Sequence, residues 1–166
     1  MNFARYLRED SVDLAFDPEL PELREGANPE RHRQKCKEII IASMAELLCR
    51  SNRIVNPSKL RTDLIHRERR ASTGIGENLA MPHVRTAQAR DFTIAFARCA
   101  TGLDFDSLDG EPVYFLLALV APPHDDRLYT KVYKRVAKVF KNPTLRHELR
   151  NAQHPGEVTR ILNRHF

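Results

Sequence analysis

From Pro112 to Val120 the chain is apolar without a break, and this run constrains the fold more than any other segment. It has the length of one strand and falls well short of the roughly eighteen apolar residues that argue for a membrane span. A strand with no polar side has no face to give to water, so it predicts a central strand covered on both faces. Just before it, Phe92, Ile94 and Phe96 alternate with Thr93, Ala95 and Ala97, the period of a strand with two distinguishable faces. Leu103 to Asp106 and Pro112 to Val120 flank Asp109-Gly110, a dipeptide that tolerates the positive φ angles of a tight hairpin turn.

The cover for that sheet is signalled by three Asn-Pro pairs, Asn28-Pro29, Asn56-Pro57 and Asn142-Pro143. Each reads as a helix start, with Asn accepting from a free first-turn amide and Pro placed where its missing N–H does no harm. After Asn28, the residues Cys36, Ile39, Ile40, Ser43, Met44, Leu47 and Leu48 recur at three- and four-residue steps, predicting an amphipathic helix to about Cys49. A shorter helix follows Asn56, with Leu60, Leu64 and Ile65 inward and Arg67-Glu68-Arg69-Arg70 at its end. Helical spacing returns from Asp125 or Asp126 to about Phe140, and two more helices are predicted from Asn142 and from His154-Pro155. Helices before, between and after the strands imply an α/β layered fold. Asp17 to Ala27, with Pro18, Pro21 and four acids, reads as an exposed loop within one domain spanning 1–166.

Composition narrows the function classes. With 42% apolar and 30% charged residues and a mean hydropathy of -0.50, the chain is expected to be globular with no membrane span. Met1 to Asp10 has no apolar centre and acquires acids early, so a cytoplasmic protein is expected. Cys36, Cys49 and Cys99 lack C-x-x-C spacing and fall in apolar stretches, which argues for reduced thiols and no metal site. The net charge of +5 is scattered among acids, a mildly basic solvated face, with a nucleic-acid partner the weaker reading.

The segment that carries chemistry is Arg67 to Gly76 followed by Ala80-Met81-Pro82-His83. Ser72-Thr73-Gly74-Ile75-Gly76 offers two hydroxyls and two glycines that let the backbone curl with its amides pointing one way, which reads as an anion nest beside the Arg67 fork. No Gly-Lys-Ser/Thr follows, so this is not a Walker-type phosphate loop. Pro82 restricts Met81 and stiffens the approach to His83. A neutral imidazole attacks phosphorus without an auxiliary base, provided its other nitrogen is held. Arg67 and the nest amides would offset the charge of the transferred group.

The pattern Arg-Glu-x-x-x-Ser-Thr-Gly-Ile-Gly-x-x-x-Ala-x-Pro-His, from Arg67 to His83, resembles the signature of the fructose, mannitol and nitrogen-regulatory type of enzyme IIA of the sugar phosphotransferase system. The resemblance continues through Gly102 to Val113, the strand ending Ala121-Pro122-Pro123, and Val136-Ala137-Lys138. It implies a mixed β-sheet flanked by α-helices on both faces, and phosphorylation of His83 by HPr or its nitrogen-branch counterpart. The phosphoryl group would then pass to an enzyme IIB cysteine or serve as a state read by a regulatory target, with no cofactor and no metal. No IIB or membrane IIC portion is fused, which tilts the expectation toward the regulatory type. Where the family usually has a second histidine this sequence has Tyr129, which can donate a hydrogen bond but brings no positive charge at neutral pH. His124 would substitute if its loop folded back, and Arg127 or Lys131 would supply the lost charge. The alternative to an active phosphocarrier is a degenerate IIA-like module that binds regulatory targets without being phosphorylated.

Overall fold

The computed structural model describes residues 2–166. A 3₁₀ turn, Phe3–Arg5, leads into β1 (Leu7–Asp13), followed by α1 (Pro29–Cys49), α2 (Pro57–Arg70), β2 (Gly74–Gly76), β3 (Leu79–Ala80) and β4 (His83–Arg85). Then come β5 (Thr93–Leu103), β6 (Val113–Ala121), α3 (Asp126–Val139), α4 (Pro143–Asn151) and α5 (Pro155–His165). The three Asn-Pro pairs start α1, α2 and α4 as their chemistry dictates. Asn28 Oδ1 accepts from the Arg31 amide at 2.9 Å, Asn56 from Lys59 at 3.0 Å and Asn142 from Thr144 at 2.9 Å, each with Pro in the first turn.

The sheet is mixed, in the order β1-β5-β6-β3-β2, with β4 also paired to β6. β6 lies antiparallel to β5, from Leu103↔Val113 to Thr93↔Val120, and parallel to β3 and β4 on its other side. The unbroken apolar run is therefore a central strand, and its alternate residues supply two cores. Phe115, Leu117 and Leu119 face α3, α4 and α5, meeting Val132, Val136, Leu145, Leu149, Val158 and Leu162. Leu116, Ala118 and Val120 face α1 and α2, meeting Ile40, Ile41, Met44, Leu60 and Leu64. Each fully buried Leu or Ile here contributes on the order of 1.5–3 kcal/mol, so both layers of helices are held mainly by burial.

The connection between β5 and β6 departs from the expected hairpin. Only Leu103 of the segment 103–106 belongs to a strand. The ring of Phe105 drops into the core beneath α1 and α2, Asp106 takes a φ of 53°, and Asp104 pairs with Arg33 at 2.9 Å. Phe105 keeps to the same side as Leu103, and the ladder is not resumed because the left-handed Asp106 turns the backbone out of the extended conformation. Asp109-Gly110 instead closes a local turn, with the Gly110 amide on the Ser107 carbonyl at 2.9 Å. Four strands, β1 to β4, lacked a sequence signal. β1 joins the edge in parallel with β5 although Arg8, Glu9 and Asp10 interrupt its apolar pattern, and β2 to β4 are two or three residues long. Residues 17–27 carry neither helix nor strand and are largely exposed.

Candidate functional site

His83 opens β4, where its backbone pairs with Leu119 of the central strand. The preceding residues are tightly held: the Met81 amide donates to the Thr73 carbonyl at 2.8 Å, and the Pro82 carbonyl accepts from the Leu119 amide at 2.9 Å. The imidazole therefore stands on a strand within the sheet, with Pro82 limiting the backbone before it. Its Nδ1 lies 2.6 Å from the Met81 carbonyl oxygen. A carbonyl only accepts, so Nδ1 carries the proton and Nε2 keeps its lone pair. Nε2 faces the Arg67 guanidinium at 3.2 Å.

Arg67 sits in the last turn of α2, and its other terminal nitrogen donates to the Ala71 carbonyl at 3.0 Å. Among the described residues no carboxylate forms an ion pair with it, so its positive charge faces the ring uncompensated. His83 as a whole residue is only 9% exposed. Burial pushes the His83 pKa below the ordinary 6.5, the adjacent Arg67 charge pushes the same way, and the Met81 carbonyl opposes them. At neutral pH the imidazole is uncharged and nucleophilic.

The segment 72–76 does not form the open nest of amides expected of it. Gly74–Gly76 is strand β2, and the nearby amides are already bonded. Thr73 donates to Glu68 Oε1 at 2.9 Å, Gly74 to Ser72 Oγ at 3.3 Å and Gly76 to Ser107 Oγ at 3.1 Å. Gly74 is required by close approach, since a Cβ there would lie 2.9 Å from Ser107 Cα. Gly76 has a φ of 93°. The Ser-Thr-Gly-Ile-Gly motif thus seats the 104–112 connection and places Thr73 to hold Met81.

Beneath it lies a pair that the sequence reading missed. Lys37 of α1 and Glu68 of α2 meet at 2.7 Å with side chains 4% and 0% exposed. Glu68 also accepts from the Thr73 hydroxyl, and Lys37 donates to Ser72 Oγ at 3.1 Å. The signal was available: Lys37 falls three and four residues before Ile40 and Ile41, and Glu68 continues the inward series Leu60, Leu64. Opposite charges on the buried stripes of two neighbouring helices must find each other.

Comparison with known proteins matches residues 31–165 to the family described as "Phosphoenolpyruvate-dependent sugar phosphotransferase system, EIIA 2". The chain belongs to this EIIA family. It is 29% identical over 131 residues to a fructose-specific EIIABC component from Bacillus subtilis (strain 168), covering 79% of this chain and 21% of that protein, so it spans about a fifth of that relative's length. It is 30% identical over 131 residues to a nitrogen regulatory protein from Klebsiella oxytoca, covering 78% of each. Its fold matches the crystal structure of the nitrogen regulatory protein IIA-Ntr from Neisseria meningitidis with a TM-score of 0.82, at 24% identity, over 98% of this chain and 99% of that one. No helix among the described residues of this EIIA chain is long and apolar enough to cross a membrane.

Against the His83 ring the EIIA chain sets one face of α3. The Tyr129 ring lies 6.0 Å from it between centroids, and Tyr133, one helical turn further on, lies 4.8 Å away. Tyr133 was not singled out from sequence, although it follows Tyr129 by four residues and so shares its face. Burial pushes the Tyr129 phenol up to about 12, so it stays protonated and able to donate at any physiological pH. His124 is exposed in the loop before α3, and Arg127 and Lys131 are exposed on its outer side. The cation beside Tyr129 is instead Arg85 of β4, whose guanidinium sits 6.0 Å from the ring centroid and pairs with Asp126.

Proposed function

We propose that this EIIA chain accepts a phosphoryl group on Nε2 of His83 from a histidine-phosphorylated carrier of the HPr or nitrogen-branch type. It either passes the group to an enzyme IIB cysteine or holds it as a state read by a regulatory target. One observation carries the reading: an imidazole with Nδ1 anchored on the Met81 carbonyl and Nε2 turned toward an unpaired guanidinium. The Nε2 lone pair attacks phosphorus, the donor's N–P bond breaks, and the donor imidazole leaves with its electron pair. As the group arrives, Arg67 exchanges its bond to Nε2 for bonds to the phosphoryl oxygens and offsets their charge. Tyr129, protonated throughout, donates to the same oxygens without shuttling a proton near neutrality. A site that stabilises the product without a neutral-pH proton carrier favours a long-lived phosphohistidine, hence the regulatory use. The names of its nitrogen-regulatory relatives point the same way.

Phosphoenolpyruvate, enzyme I and an HPr-type carrier should label the chain on one acid-labile site. His83→Ala should abolish the label. A His83→Ala protein that takes up as much phosphate as the parent would move the acceptor elsewhere.

A further inference from the structure

The last turn of α2 holds both sides of the imidazole. Arg67 faces Nε2 directly at 3.2 Å, while its neighbour Glu68 reaches the opposite nitrogen through a chain of hydrogen bonds. The Glu68 carboxylate accepts from the Thr73 amide at 2.9 Å and from the Thr73 hydroxyl. The Thr73 carbonyl accepts from the Met81 amide at 2.8 Å, and the Met81 carbonyl accepts from His83 Nδ1 at 2.6 Å. Lys37 Nζ of α1, 2.7 Å from Glu68, compensates the buried carboxylate. Lys37, Glu68, Thr73 and Met81 are each at most 3% exposed, so water does not compete for these bonds.

A buried ion pair is a weak source of stability, since apolar residues of similar volume often serve as well. Its bonds to the residue that anchors Met81 give this pair a use that stability alone does not explain. We propose that Lys37 and Glu68 are positioning residues for phosphoryl uptake: through Thr73 they fix the Met81 carbonyl that keeps His83 in the Nδ1–H tautomer with Nε2 free to attack. The inference rests on the relay reading above. As Nε2 bonds to phosphorus the ring gains positive charge and Nδ1–H donates more strongly, so a carbonyl already aimed at it stabilises the transition state without reorganising. The Leu119 amide, donating to the Pro82 carbonyl at 2.9 Å, fixes the chain after Met81, and the Thr73 tie fixes it before. Released from that tie, the Met81 carbonyl swings off Nδ1 and the ring samples both tautomers. Nε2 then carries a proton for part of the time, and its lone pair is blocked.

The test uses phosphoramidate, a donor too small to need a docking surface: its P–N bond breaks, a new bond forms to His83 Nε2, and ammonia leaves from the protonated donor nitrogen. Alongside it, the ring-nitrogen chemical shifts of His83 at about pH 8, where the imidazole is neutral, report the tautomer. Wild type should show Nδ1 protonated and Nε2 free. Lys37→Met/Glu68→Leu should mix the two tautomers and slow labelling of His83 about tenfold at saturating donor, with the half-saturating concentration unchanged. Thr73→Val, which removes only the hydroxyl, should move both readings the same way, and Thr73→Ser, which keeps it, should bring them back. Wild-type shifts and rate in the double variant overturn the positioning role and leave the relay standing; if that variant does not fold, the same result in Thr73→Val does so. Slow labelling with unchanged shifts, or a Thr73→Ser as slow as Thr73→Val, also overturns the positioning role, because packing then accounts for the loss. Failure of phosphoramidate to label His83 in wild type overturns the relay, and this inference with it.

Discussion

His83 must be buried enough to be held and exposed enough to be reached, and its pKa records the first demand. Its folded value lies below the unfolded 6.5, chiefly through burial. Between the two values the unfolded chain binds more protons, so stability from this group is full above about pH 6.5 and is lost as pH falls toward the folded value. Urea unfolding of wild type and His83→Gln from pH 7.5 down to 5 should show the wild type losing stability more steeply. Parallel curves would mean that the ring is not desolvated. Tyr129 makes the opposite point: its proton is too firmly held to move at neutral pH. Tyr129→His introduces a group that titrates there and should speed phosphoryl transfer by about tenfold or more, measured by rapid-quench labelling. An unchanged rate would show that proton movement at this position does not limit the reaction.

At the scale of elements, the site is assembled by what joins α1 and α2 to the strands. The Lys37–Glu68 pair fixes the two helices to each other, and through Thr73 and Ser72 it fixes both to the segment that grips Met81. Lys37→Met leaves Glu68 buried and uncompensated and should cost about 3–5 kcal/mol in denaturant unfolding. Replacing both, as Lys37→Met/Glu68→Leu, should cost less than the single change, because no lone charge remains. A double variant as unstable as the sum of its parts would show that the two groups act independently. The 104–112 connection is seated in the same way, by Ser107 against Gly74 and Gly76 and by Phe105 in the core. Gly74→Val should therefore lift the connection away and lower stability, read as a fall in Tm with the loop becoming protease-sensitive.

For the whole molecule, the helices on the α3 side are anchored by one cation as well as by burial. The Arg98 guanidinium, from β5, donates to the carbonyls of Leu14, Leu149, Arg150 and Ala152, joining the chain after β1 to the end of α4. Arg98→Met leaves several of these acceptors unpaired and should cost about 3 kcal/mol, read as a lowered urea midpoint with an unchanged slope. The sequence by itself determined the helix starts, the central strand and the segment on which the proposed site is built. Asn-Pro caps, an unbroken apolar run and the Arg67-to-His83 motif each act over a few neighbouring residues, and short-range chemistry is written locally. The tertiary structure alone decided how β1 to β4 pair, that the Ser-Thr-Gly-Ile-Gly segment spends amides on Glu68, Ser72 and Ser107, and that Tyr133 stands beside the His83 ring and Arg85 beside Tyr129 while His124 stays exposed in its loop. Apart from the bonds of Thr73 to Glu68 and Gly74 to Ser72 and the β2–β3 pairing, those outcomes depend on partners thirty or more residues apart. Only packing both cores against one sheet sets which distant side chains come within reach.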